Sequence, residues 1–322
     1  MREGSITVVT VLLFVYFTAT LPSTYLGTEN IHALFPYFAP FAILAAGEVF
    51  LMINGEIDLS IGGVYLFAPY IFYELANGHV PLLLCVLLAV ISSTLIGVIN
   101  GLFTMFVGIS SFITTLGTLF TLEGLTLIIS HAEQVTTPGS QLAGNSSGTS
   151  ISTFASVFGA GAYSELIWAL VIVAILHVVL TRTRWGLHTI AVGSNRNAAA
   201  EAGVRVRLVV IRNFMVCSTL AGIVGILESL RTSTITPDPS GAGTLTLDAI
   251  ACAVIGGTLL LGGAGTVVGA LIGALFLGIL QDGLAIKGVN ADYLFFFLGA
   301  AILLAMIINV YVGRVRRRSG LG

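Results

Sequence analysis

Long apolar runs, separated by short polar or charged segments, fill almost the whole chain. A transmembrane helix needs about 20 apolar residues, whereas a transmembrane strand shows only about 10 alternating ones. The continuous runs therefore predict an all-α polytopic membrane protein with about ten spans. The runs at 61–76 and 247–262 are the weakest and also fit a re-entrant or broken helix. The ten runs are 5–21, 33–53, 61–76, 80–106, 112–130, 165–180, 208–230, 247–262, 264–286 and 291–312.

Composition supports a membrane protein and excludes several other classes. Of the 322 residues, 56% are apolar and only 9% are charged, with a net charge of −2. Soluble domains carry about 25% charged residues, because they need polar surface around the core. A soluble enzyme, a nucleic-acid-binding protein and a disordered chain are therefore excluded. The whole chain, 1–322, is interpreted as a single transmembrane domain.

Basic residues predict the orientation in the membrane. Cytoplasmic loops are enriched in Lys and Arg, and ten of the thirteen basic residues lie in two clusters. An even number of predicted spans separates the two clusters, so both can lie in the cytoplasm. An even number of spans also precedes the first cluster, which places the N-terminus in the cytoplasm as well. The loop at 131–164 then lies outside and contains no Lys or Arg; Arg231 and Lys287 are the two exceptions. The clusters are Arg182, Arg184, Arg196, Arg205, Arg207 and Arg212, and Arg314, Arg316, Arg317 and Arg318.

The segment 181–207, TRTRWGLHTIAVGSNRNAAAEAGVRVR, is the one long polar connection on the predicted cytoplasmic side. Asn195 is a good N-cap residue, and Gly203 suits a left-handed C-cap. The alanines between them favour a helix of about two turns. Alanine side chains allow the surface of another protein to approach closely. A solvated surface turn is the alternative.

This segment resembles the coupling loop of permease subunits in ATP-binding cassette importers. That loop follows the pattern N-x-x-A-A-x-x-x-G-[IV], and the upstream RTRWG resembles R-T-R-[FW]-G of the ribose, xylose and arabinose branch. The resemblance implies that this segment docks on a separate ATPase. The residues implied in coupling are Asn195, Ala198, Ala199, Glu201, Gly203 and Val204.

Three further segments resemble the same branch and occur in the same order. Together the matches extend from about residue 47 to the last predicted helix. Glu56 replaces a glycine of the branch, and Glu123 stands where the branch often has arginine. The segments are GEIDLSIGG at 55–63, FITTLGTLFTLEGLTLI at 112–128 and LDAIACAVIGGTLLLGGAGTVVGALIGAL at 247–275.

The resemblance implies a transport subunit that imports a small polar solute, most simply a monosaccharide. Its implied partners are a second permease subunit, identical or different, cytoplasmic ATPase subunits and an external solute-binding protein. The chain lacks the pattern G-x-x-x-x-G-K-[ST], so ATP and Mg²⁺ are expected on the ATPase, and no cofactor on this chain. The expected location is the bacterial inner membrane. An ion-coupled secondary transporter is the alternative; it would require paired intramembrane charges.

Polar residues near the ends of the predicted spans are candidates for a gate or pathway. Asp58 has a structural alternative, because Asp58 or Ser60 also suits the N-cap of a helix starting near Leu59. The full set is Asn54, Asp58, Asn100, Phe112, Gln281 and Asp282.

Small residues predict close helix packing near the C-terminal part. Gly265, Gly269 and Gly273 are spaced by four, as expected for a stripe on one helix. The stripe is expected to pack against neighbouring helices of the chain or against a second copy. A weak internal similarity at an offset of 202 residues also aligns the segments 53–63 and 255–265.

Overall fold

The computed structural model describes residues 4–22, 24–140, 153–161 and 163–290, with isolated positions between 293 and 307. The first helices are α1 (Gly4–Thr20), α2 (Thr28–Ile53), α3 (Ile61–Asn77), α4 (Leu82–Leu102) and α5 (Ser111–Ile129). They are followed by α6 (Ser164–Arg182), α7 (Arg184–Ser194), α8 (Arg196–Glu201), α9 (Val206–Thr232), α10 (Pro239–Ile255) and α11 (Val267–Ile286). Five-residue π-helical turns lie at Phe103–Val107 and Ser156–Ala160. The short strands β1 (Val135–Thr136) and β2 (Thr234–Ile235) pair antiparallel.

Nine of the predicted apolar runs coincide with helices, so the all-α polytopic class is confirmed. Six described helices are long and apolar enough to span a membrane: α2, α4 with its π-helical turn, α5, α6, α9 and α11. The helices α1, α3 and α10 are shorter, with 17 residues each. Most of the predicted run at 291–312, the C-terminal arginine cluster and residues 141–152 of the predicted outer loop lie outside the described residues.

The run predicted at 247–262 has different boundaries in the structure, where α10 covers 239–255. The helix begins early because Oδ1 of Asp238 accepts a hydrogen bond from the Ser240 amide at 3.0 Å. Pro239 at the first helical position strengthens this start. The helix ends early because Gly257 adopts a φ of +92°, which ends the helix with a left-handed residue.

The helix α2 lies at the centre of the bundle. It packs against α6, α9, α10 and α11. In its apolar 18-residue stretch, 78% is buried inside the protein, against 22% for the corresponding stretch of α5. Large apolar side chains such as Leu95 and Phe120 are exposed on α4 and α5. In a membrane protein, these outward faces are suited to lipid or to another subunit.

The two ends of the bundle differ in character. At one end, which we call the ribbon end, β1 pairs with β2, and the Tyr70 hydroxyl donates to the carbonyl oxygens of Glu133 and Ile235. At the other, the arginine-rich end, α7 contacts the turn between α2 and α3 and the loop before α11, and α8 contacts the same turn.

The two exceptions to the arginine clustering have local partners near the ribbon end. Arg231 forms an ion pair with Glu228, and its Nε lies 3.2 Å from Oε1 of Glu165. Nζ of Lys287 donates to the Tyr16 hydroxyl at 2.7 Å and lies over its ring. Both cations therefore have a local partner at this end of the bundle, and both remain exceptions to the clustering of basic residues.

The glycine stripe is shorter than predicted and packs within the chain. Gly265 precedes α11, which begins at Val267, so it is not on the same helix as Gly269 and Gly273. A Cβ atom at Gly273 would overlap the carbonyl oxygen of Cys252 in α10. The backbones of α10 and α11 therefore approach closely, as small residues allow between membrane helices.

We expect Gly273→Ala to destabilise the protein by about 1–3 kcal/mol, because the added methyl group must displace backbone atoms of α10. Gly243→Ala is the matched control, since no atom lies within 4 Å of a Cβ at Gly243 in α10. Thermal unfolding in detergent measures both variants. Equal midpoints for the two variants would contradict the close α10–α11 contact.

Candidate functional site

The helix α8 is capped at both ends by its own residues. Oδ1 of Asn195 accepts hydrogen bonds from the amides of Asn197 and Ala198, each at 3.0 Å. At the other end, the Gly203 amide donates to Ala200 at 2.9 Å and the following amide, that of Val204, donates to Ala199 at 3.0 Å. With a φ of +84° at Gly203, this is a Schellman motif. Local sequence therefore defines a short helix of six residues.

The face of α8 that could contact a partner is narrower than the sequence predicted. Ala199 is only 5% exposed and packs into the core of the chain, and Val204 is half-buried against the same core. Ala198, Ala200 and Glu201 are exposed. The expectation that the alanines together face another protein is therefore wrong for Ala199, which packs against the core of its own chain.

The helix α7 anchors this segment to the transmembrane helices. Nε1 of Trp185 donates to Oδ1 of Asn213 in α9 at 2.8 Å. The Thr189 carbonyl accepts from Nδ2 of Asn54 at 2.8 Å. At Gly193 the backbone of α7 approaches the Ile53 carbonyl so closely that a Cβ atom would overlap it. The start, middle and end of α7 thus all contact the protein near the end of α2.

The C-terminal end of α2 is buried, so its free carbonyl groups need donors from within the protein. The amides of Gly55 and Glu56 donate hydrogen bonds to the carbonyl oxygens of Met52 and Leu51, respectively, in a Schellman motif. More distant parts of the chain supply the other donors. Nδ2 of Asn213 donates to the Phe50 carbonyl oxygen at 3.1 Å. The Gly263 amide donates to the Ile53 carbonyl at 2.8 Å, and Nη2 of Arg196 donates to the Asn54 carbonyl at 2.9 Å.

An ion pair joins α8 directly to the turn after α2. The Arg196 guanidinium contacts the Glu56 carboxylate and also donates to the Asn54 carbonyl. The Glu56 side chain is 10% exposed and that of Arg196 is 42% exposed. Partial burial makes such a pair stronger than one between fully exposed side chains. The first residue of α8 is thus linked to the segment that leads into α3.

Asp58, two residues further on, lies at the centre of a buried polar network. Its Oδ1 accepts from the Ser60 amide at 2.9 Å and from the Ser60 hydroxyl at 2.5 Å. Nδ2 of Asn100 donates to that hydroxyl at 2.8 Å, and its Oδ1 accepts from Thr118 at 2.7 Å. The Ser218 hydroxyl lies 3.4 Å from Asp58. Asp58 therefore closes the turn before α3 and links it to α4, α5 and α9.

Of the six predicted gate or pathway residues, the structure brings Asn54, Asp58 and Asn100 to one region. Phe112 is 54% exposed on the outward side of α5. Gln281 is half-buried on α11. Asp282, towards the ribbon end of α11, accepts from Nδ2 of Asn30 at 3.1 Å. These last three residues do not belong to the polar network around Asp58.

Two residues of this region were not identified from the sequence. Glu48 is fully buried in α2, and its Oε2 lies 3.5 Å from the Asp58 amide. Asn213 in α9 bonds to Trp185, Asn54 and the Phe50 carbonyl. A signal existed for Glu48, which is the one charged residue in the run at 33–53. Buried ionisable residues in membrane spans are functional candidates by default.

Comparison with known proteins assigns this architecture to a family. The family model described as the permease component of the branched-chain amino acid transport system matches residues 30–306. The xylose/arabinose import permease XylH of Sulfolobus acidocaldarius is 36% identical over 95% of this chain and 83% of its own length. No solved structure matches the chain.

Two relatives from Escherichia coli are also similar over nearly the full length. The D-allose transport system permease AlsC is 30% identical over 94% of this chain and 90% of its own length. The ribose import permease RbsC is 30% identical over 94% of this chain and 92% of its own. These matches confirm the resemblance carried by the sequence motifs. The chain belongs to the family of permease components of ATP-binding cassette importers.

Proposed function

We propose that this chain forms the translocation pathway for a monosaccharide. Full-length similarity to permeases named for xylose and arabinose, for allose and for ribose carries this proposal. The description of the family names branched-chain amino acids instead. Leucine is therefore the solute to compare with sugars in an uptake assay. The family assignment decides against the ion-coupled secondary transporter.

The proposed assembly contains two copies of a permease, identical or different, two ATPase subunits and an external sugar-binding protein. A permease component does not hydrolyse ATP; the separate ATPase does. ATP and Mg²⁺ are accordingly assigned to that subunit, and no cofactor to this chain. The proposed location is the cell membrane, which in a bacterium is the inner membrane.

The exposed face of α8, centred on Ala198, Ala200 and Glu201, is the proposed contact with the ATPase. Its support is the coupling-loop pattern together with the double capping, which gives a short helix a fixed shape. Closure of the ATPases on ATP would move α8 and, with it, the transmembrane helices. The candidate gate is the buried network around Asp58 and Asn100, since the turn at 54–60 connects it to α8.

The proposed topology has ten spans with both ends in the cytoplasm and 131–164 outside. The two arginine clusters support it; Arg231 and Lys287, each with a local partner near the ribbon end, are the two basic residues that this topology places outside. We expect a tag inserted in 141–150 to be accessible from outside, and a reporter fused after Arg318 to be in the cytoplasm. Impermeant labelling of intact cells measures both; an external reporter after Arg318 would contradict the orientation.

We expect the purified chain alone to hydrolyse no ATP. Reconstituted with its ATPase and sugar-binding protein, it should support uptake of a pentose or hexose but not of leucine. Uptake of labelled solute into vesicles with ATP on the ATPase side tests this. Selective uptake of leucine, or hydrolysis by the chain alone, would contradict the proposed function.

We expect Ala198→Trp to abolish co-purification of the ATPase, because the indole would occupy the docking face of α8. Ala198→Ser is the matched control, since it adds a single oxygen at the same exposed position. Membrane abundance should be unchanged in both variants. Normal co-purification with Ala198→Trp would remove α8 from the interface.

Gly203 offers a test of helix shape. We expect Gly203→Val to weaken ATPase binding about tenfold, because a β-branched residue disfavours a φ of +84° by about 1 kcal/mol or more. Gly203→Asn should retain binding, since asparagine tolerates this conformation. Space does not limit either variant, as no atom lies within 4 Å of a Cβ at Gly203. Equal binding by the two variants would contradict this role of the cap.

A further inference from the structure

We propose that Arg196 is a positioning residue that transmits the movement of α8 to the turn between α2 and α3 through its paired contacts with Glu56 and the Asn54 carbonyl. The inference rests on the proposed function, in which an ATPase moves α8. It assigns the mechanical link to one side chain of that helix.

Position within α8 favours Arg196 for this role. It is the first residue of the helix, directly after the cap residue Asn195, so a displacement of α8 displaces its Cα atom. Its guanidinium contacts a side chain and a backbone carbonyl of the same turn. Both hydrogen bonds are donated by Nη2, so this one planar group is held to the turn in a defined orientation.

The other contacts of this region differ in kind. Trp185 and Thr189 belong to α7, which is a separate helix. Ala199 and Val204 of the α8 region pack through apolar surface, and apolar contacts are non-directional. Among the described residues, the hydrogen bonds and ion pairs observed between α8 side chains and the 54–60 turn are those of Arg196.

The turn that Arg196 holds is connected to the proposed gate. Glu56 lies two residues before Asp58, and Asp58 is tied through Ser60 to Asn100. The Leu59 amide donates to the Thr115 hydroxyl at 3.0 Å. A displacement of this turn therefore reaches α4 and α5 through hydrogen bonds. Contacts of this kind carry coupling when the connected element has two arrangements.

Glu56, which accepts the ion pair from Arg196, is a position where this chain differs from the permease branch that it resembles. Glu56 stands in GEIDLSIGG, at the position where the permease branch that this segment resembles has a glycine. Glycine has no side chain that could accept a hydrogen bond from Arg196. The ion pair with Arg196 therefore depends on the glutamate at position 56 of this chain.

The test compares Arg196→Gln, Glu56→Gln and the double variant in the complete reconstituted importer. We expect Arg196→Gln to lower the amount of sugar transported per ATP hydrolysed about tenfold. Glu56→Gln should have a smaller effect, about threefold, since the bond to the Asn54 carbonyl remains. Because both act through one link, the double variant should be no worse than Arg196→Gln.

Three controls separate transmission from docking and folding. Membrane abundance and ATPase co-purification should remain at the wild-type level in all variants. Arg205→Gln, an exposed arginine in the same segment, should leave the ratio unchanged. ATP hydrolysis itself should continue in the Arg196 variant, because the ATPase stays bound.

Several outcomes would overturn the inference. A wild-type ratio in Arg196→Gln would show that Arg196 transmits nothing, and loss of ATPase co-purification would show that it acts in docking. Additive effects of the two single variants would show that they act separately. Failure of the wild-type importer to take up any sugar would contradict the proposed function, and this inference with it.

Discussion

The C-terminal end of α2 is the point on which the rest of the structure depends. A helix that stops inside a membrane protein leaves carbonyl groups that water cannot reach, and each one left without a donor costs free energy. Here the donors come from α9, from the loop before α11 and from the first residue of α8. Satisfying one helix end thus fixes three distant parts of the chain around it.

This requirement explains why a polar segment packs so tightly onto an apolar bundle. Between α7 and the end of α2, contacts include the edge-to-face packing of Trp185 on Phe50 and the hydrogen bond from Asn54 to the Thr189 carbonyl, and the backbones approach closely at Gly193. The segment is therefore an integral part of the permease, with one side buried and the other exposed. In the proposed function, this arrangement would let the ATPase act on the transmembrane helices from outside the membrane.

Four helices end in the same type of C-cap. The helices α2, α8, α10 and α11 all end in Schellman motifs with glycine in the left-handed region, at Gly55, Gly203, Gly257 and Gly288. The first and third belong to the two segments aligned by the internal similarity, and these segments contact each other through the bond from Gly263 to Ile53. Glycine serves at these sites because a left-handed backbone disfavours a Cβ atom.

The sequence by itself determined the helical class, most helix positions and the caps of α8, because these depend on residues within a few positions of one another. It also singled out Asn54, Asp58 and Asn100, since polar residues are rare in apolar runs, and the structure brings these three to one region. Tertiary structure decided that Ala199 faces inward, that Phe112 faces outward and that Glu56 pairs with Arg196, 140 residues away. Hydropathy does not separate these cases, because lipid and protein interior are both apolar. Only the packing of the helices determines which faces and which distant partners meet.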